Sequence, residues 1–165
     1  MKNKFLYSLL LLSACLSFTL LFTACGDDDD DNNTNPVTDG CTLPTGYLKW
    51  TVDGGQLCSN ASLFGDYTIL MTINGISQSG VTMTLELDSV SPGTYQMTEN
   101  INHLLFTDQL GMAWESTNDN PGTLVITSNN TSTNLIQGTF NITVRNPLGV
   151  SKNITNGNFK ISYTE

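Results

Sequence analysis

The sequence predicts an all-β fold: an antiparallel β-sandwich of about 9–11 short strands, with a closed β-barrel as the alternative. Three observations predict it. Apolar and polar residues alternate with period two from Tyr47 to the end of the chain. Glycine, proline, asparagine and aspartate pairs punctuate these runs at short intervals. No stretch after Tyr47 sustains a helical period.

The first run puts Leu48, Trp50 and Val52 on one face and Tyr47, Lys49 and Thr51 on the other, so Trp50 is expected in the core. Asp53-Gly54-Gly55 then gives a tight hairpin signal. Tyr67, Ile69, Met71 and Ile73 make the next stripe, and Asn74-Gly75 and Ser79-Gly80 read as turns after it. Val81 to Asp88 alternates without a break, with Glu86 and Asp88 on its wet face. Pro92-Gly93 opens a run in which Tyr95 aligns with Met97. The segment from Glu99 to Leu110 is compatible with a short helix or with a strand around Leu104 to Phe106. Trp114 aligns with Met112, again toward a core. Pro121-Gly122 precedes the stripe of Leu124 and Ile126. Phe140, Ile142 and Val144 form another, closed by the turn from Pro147 to Gly149. Asn156-Gly157 reads as one more turn before Phe159, Ile161 and Tyr163.

The N-terminus carries an address. Lys2 and Lys4 precede an apolar run from Phe5 to Phe22, and Thr23-Ala24-Cys25-Gly26 follows. Basic, apolar, small and cysteine in that order is an export signal ending in a lipobox. Leu12-Ser13-Ala14-Cys15 fits the lipobox pattern better by its leading residue, but cleavage there would leave Leu16 to Phe22 as a greasy end on the mature chain. Cys25 is therefore the expected lipidation site. The run approaches the roughly 18 residues of a spanning helix, yet its serines and threonine make it a weak anchor. The expected organisation is a signal peptide over residues 1–24, a lipidated acidic tether over 25–39 and one all-β domain over 40–165.

Charge excludes several partners. Beyond the signal, four bases (Lys49, Arg145, Lys152 and Lys160) stand against fifteen acids. Nucleic acid and electrostatic binding to anionic lipid are not expected. The expected membrane contact is the lipid anchor alone. Six of the acids lie in the tether: Asp27, Asp28, Asp29, Asp30, Asp31 and Asp39. Cys41 and Cys58 remain as an even pair in an oxidising compartment and are expected to form a disulfide.

The tether resembles the surface-export signal of Bacteroidetes-type lipoproteins, which place acidic residues just behind the lipidated cysteine; here Gly26 intervenes before Asp27 to Asp31. The domain resembles a family of such lipoproteins with an all-β domain of unknown function. Gly122 to Thr127 matches its GTLxIT strand, Gly138 to Ile142 its GTFxF strand apart from the last residue, Ile154 to Phe159 its closing ITNGxF hairpin, and Val52-Asp53-Gly54 its opening turn. The resemblance implies an outer-membrane, lipid-anchored protein displayed at the surface, with the periplasmic face as the alternative. It implies no catalytic residue.

Chemistry is sparse. His103 lacks an adjacent nucleophile, and Asp53, Asp66, Asp108 and Asp119 fall at turns. No metal or cofactor is expected, because the one histidine and the cysteine spacing make no ligand set. Asp88-Ser89-Val90 resembles a short bacterial O-glycosylation motif, which would modify Ser89. The expectation is a non-enzymatic envelope protein with a binding or structural role. A surface glycan- or small-ligand-binding module is the first alternative and a hydrolase the second. For a glycan platform, only Tyr47 among the large aromatics falls on a polar face.

Overall fold

The computed structural model describes residues 46–59 and 62–165. The signal segment, Cys25, the aspartates from Asp27 to Asp31, and Cys41 lie outside the described residues. Alternation becomes eleven strands: β1 (Tyr47–Val52), β2 (Gly55–Ser59), β3 (Ser62–Tyr67), β4 (Met71–Ile76), β5 (Thr82–Leu87), β6 (Gly93–Met97), β7 (His103–Thr107), β8 (Ala113–Ser116), β9 (Gly122–Asn130), β10 (Leu135–Arg145) and β11 (Ser151–Thr164). No helix occurs among the described residues.

The pairings form two layers of one continuous sheet. The first runs β2-β1-β11-β10-β9-β6. The second runs β3-β4-β5-β7-β8. Two long strands join them. The end of β11 leaves β1 and pairs with β3 through Tyr163 and Thr164, and the end of β10 pairs with β8 through Val144 and Arg145. The sandwich expectation holds, and these shared corners are the trait it has in common with a barrel. Among the described residues all pairings are antiparallel except β11 with β3.

Between the layers lies one apolar core. Trp50, Phe106, Phe140 and Phe159 are its largest fully buried side chains, and Trp114 is buried with them, as phase predicts. Burying such a side chain is worth roughly 1.5–3 kcal/mol each. The layers meet closely at β2 and β4, where the Ile76 amide donates to Ser59 Oγ at 3.1 Å.

Four local expectations need correction or completion. Asn74-Gly75 is not a turn but the interior of β4, because a Cβ at Gly75 would sit 2.9 Å from Ser59 and 3.0 Å from Leu48 across the core. Glycine there permits close approach of the layers; the turn itself is Ser77 to Gly80. The stripe from Tyr67 to Ile73 is interrupted by a three-residue loop, with Tyr67 paired to Met71 and Ile69 89% exposed. An odd-length loop between directly paired residues preserves the period-two phase, so alternation alone cannot reveal it. The ambiguous segment forms strand β7. Asn156-Gly157 lies inside the continuous β11 and closes no hairpin.

Asn156 is a β-bulge. Lys49 pairs with Asn158 but Thr51 with Thr155, and Phe140 pairs with Gly157 but Ile142 with Ile154. One extra residue of β11 is therefore unmatched by both neighbours. Its backbone is left-handed, with φ 53°, a conformation asparagine tolerates. The bulge switches the phase of β11. Ile154 is buried before it and Phe159, Ile161 and Tyr163 after it, although the first number is even and the others are odd.

Candidate functional site

The outer face of the first layer is where unengaged polar chemistry gathers. Pairing register builds it in rows. One row crosses Cys58, Lys49, Asn158 and Thr139, on β2, β1, β11 and β10 in turn. The next sets Tyr47 opposite Lys160 and Lys160 opposite Gln137. On the other side Gln56 pairs with Thr51. These residues face outward because their neighbours Leu48, Trp50, Leu57, Phe140 and Phe159 face the core.

The bulge lies within a concave part of this face. A groove of ≈ 520 Å³ opens over it, lined by Lys49, Gln56, Thr139, Asn141, Asn156 and Asn158, with the Gly157 backbone at its floor. The Asn156 amide donates to Asn141 Oδ1 at 3.0 Å, which ties the bulge to β10. Gly157 has no room for a side chain, since a Cβ would lie 2.6 Å from the Phe140 ring beneath. Among the described residues, the side chains of Gln56, Thr139 and Asn158 make no hydrogen bond. Lys49 lies 5.9 Å from the Tyr47 ring centroid and, like Lys160, has no carboxylate partner among the described residues. The groove thus offers amide, hydroxyl and ammonium groups to a ligand without breaking hydrogen bonds within the described residues.

Cys58 stands in the same outer row yet is only 2% exposed. It is disulfide-bonded, and its partner lies outside the described residues.

Sequence-level candidates elsewhere are engaged in holding the fold. Glu86 and His103 are a cross-strand pair of β5 and β7, with Oε2 3.8 Å from Nδ1, on the second layer. Asp88 accepts from the Asn102 amide at 2.6 Å, while Asn102 Oδ1 accepts from the Asp88 amide at 3.0 Å. Asp108 accepts from the amides of Leu110 and Met112 and from Trp114 Nε1, so its carboxylate shapes the loop from β7 to β8. Asp53 pairs with Lys152, whose ammonium also sits 4.9 Å from the Trp114 ring. Asp119 pairs with Arg145 at 3.4 Å. Ser89 donates to the Tyr95 hydroxyl at 3.1 Å, and that hydroxyl donates to the Ser91 carbonyl, so Ser89 is half-buried and bonded. Among the described residues no group of three histidine, cysteine or carboxylate side chains is placed to hold a metal.

A family model for a domain of unknown function, DUF6252, matches residues 60–161, more than half of the chain. The chain belongs to this family. Comparison with curated proteins and with solved structures gives no match. The DUF6252 match takes in β3 to β10 and most of β11 but not β1 and β2, which supply Lys49 and Gln56 to the groove. Sequence reasoning missed the groove of this DUF6252 chain for one reason. Its residues come from strands far apart in the chain, and Asn156 looks like a turn until its two partner strands are known.

Proposed function

We propose that this protein is a lipid-anchored binding domain of the cell envelope that does no chemistry of its own. Cys25 carries the anchor, residues 1–24 are removed, and Asp27 to Asp31 direct the outer-membrane protein to the surface. The binding surface is the amide-lined groove of the first layer. The observation that carries this reading is the set of side chains there with no hydrogen-bond or ion-pair partner among the described residues, Gln56, Thr139, Asn158 and Lys49, around a concavity that includes the bulge. The remaining acids support the non-enzymatic part, since Asp53, Asp88, Asp108 and Asp119 are tied to loops and ion pairs.

Two measurements test it. Purified full-length protein in neutral detergent micelles is applied to an array of bacterial and host glycans beside Asn158→Trp, which fills the groove from an outward position. Binding by the wild type and not by the variant is expected; equal binding removes the groove from the account. Protease shaving of intact cells tests the address. The wild-type domain is expected to be digested, and the variant with Asp27 to Asp31 replaced by alanine to be protected. Protection of both places the domain on the periplasmic face.

The disulfide of Cys58 is proposed to close onto Cys41. In the chain-entropy picture a loop of this size stabilises the fold by about 3 kcal/mol. Cys41→Ser is expected to free a thiol at Cys58 and lower the melting temperature by several degrees. A wild-type protein that reacts with maleimide at both positions without reductant would contradict the pairing.

A further inference from the structure

Charge is segregated between the two layers, and the segregation points to a ligand class for the groove. The six strands of the first layer contain all four bases of the described residues and none of their nine acids. The acids that lie on strands, Asp66, Glu86 and Glu115, are all in the second layer. Of the four bases, Arg145 is neutralised by Asp119 and Lys152 by Asp53. Lys49 and Lys160 have no carboxylate partner among the described residues, and both face outward beside the groove. They are diagonal neighbours on β1 and β11, since Lys49 pairs with Asn158 and Tyr47 with Lys160. That places their Cα atoms roughly 7–8 Å apart. A chain with formal net charge −9 therefore keeps one face where an anion meets two ammonium groups and no carboxylate on the strands.

We propose that the groove binds an acidic saccharide, a chain of hydroxylated sugar rings carrying no more than one carboxylate each; this rests on the groove being a binding surface. Three features select that chemistry. Two lysines match a sparse anion, whereas a dense polyanion would be repelled by the rest of the molecule. Gln56, Asn158 and Thr139 each offer groups that donate and accept, which suits vicinal hydroxyls between the charges. The Tyr47 ring beside Lys49 offers an apolar surface for the C–H face of a sugar ring. An anionic lipid surface is the weaker occupant. Two lysines contribute only about 1 kcal/mol each there, and a flat bilayer does not use the concavity.

The test is calorimetric titration of full-length protein in neutral micelles with tetragalacturonate, the matching neutral galactose tetrasaccharide and phosphatidylglycerol vesicles. Wild type, Lys49→Gln/Lys160→Gln and Asn158→Ala are compared, with thermal melts to show that these outward substitutions leave the fold intact. The acidic tetramer is expected to bind wild type, to bind the double lysine variant about tenfold more weakly, and to weaken with added salt. The neutral tetramer is expected not to bind. If both tetramers bind equally, the lysine variant is indifferent and Asn158→Ala loses both, the acidic inference falls while the groove remains a binding surface. If neither tetramer binds, or only the vesicles do, the inference falls outright.

Discussion

Deleting Asn156 is expected to abolish folding, although it removes one exposed residue near the end of the chain. Upstream of the bulge β11 buries Ile154, and downstream it buries Phe159, Ile161 and Tyr163. Asn156 absorbs the odd step between these sets, opposite both β1 and β10. Without it, one set must face solvent, because a one-residue slip turns every side chain of a strand over. Exposing Phe159, Ile161 and Tyr163 together costs on the order of 5 kcal/mol or more. The whole stability of an ordinary domain is about 5–15 kcal/mol. Circular dichroism and thermal melting decide the matter: a cooperative transition near the wild-type midpoint would refute the phase argument. Two substitutions separate phase from backbone strain. Asn156→Gly keeps the extra residue and the left-handed backbone, so near wild-type stability is expected. Asn156→Val keeps the residue but strains it, at a cost of about 1–2 kcal/mol.

Phe140→Ala is expected to cost about 3–5 kcal/mol, the usual range for removing a fully buried phenylalanine. Phe140 has no exposed surface, and its ring lies directly beneath Gly157. A glycine cannot reach into the space that the ring vacates, and at Gly138, two residues before Phe140 on β10, Phe159 and the Val125 carbonyl leave no room for a side chain. The cavity is therefore expected to persist. Urea unfolding should show a lower midpoint with an unchanged slope; a loss under about 1 kcal/mol would mean that the site collapses freely. The same geometry predicts coupling. Gly157→Ala is destabilising alone, because its Cβ would meet the Phe140 ring at 2.6 Å. It is expected to be better tolerated once that ring is gone, which a double-mutant cycle reads directly.

The groove depends on these same residues. Phe140 supports the floor and Asn156 shapes the wall, so stability and binding are expected to fail together in variants of either. Lys49, Lys160 and Asn158 face outward and their side chains make no hydrogen bond or ion pair among the described residues, so changes there test binding with the fold preserved.

Much of the fold was legible because alternation reports directly which side chains a sheet buries. Trp50, Trp114, Leu85 and Phe159 are in the core as their phase requires, and Asp53-Gly54 turns the first hairpin with φ of 51° and 81°. Errors arose where one local signal has two structural meanings. Asn-Gly marks a tight turn, yet Gly75 lies in mid-strand to admit Ser59 and Leu48, and Asn156-Gly157 makes a bulge over Phe140. Both choices depend on what packs opposite, and no window of sequence contains that neighbour.

The sequence by itself determined the all-β class, the two-sided character of nearly every strand and the acidic balance of the chain, because these follow from residue order and composition. Tertiary structure decided which strands share a layer. Pairing joins Lys49 to Asn158 and Thr139 across about a hundred residues of chain, and sets β6 on β9 rather than beside its sequence neighbours. Only that assignment gathers the four bases of the described residues into one layer and sets Lys49 and Lys160, without a carboxylate partner among those residues, beside a polar groove. The physical reason is that hydrogen-bond pairing between distant strands is selected by burial of the whole core, which no local pattern encodes.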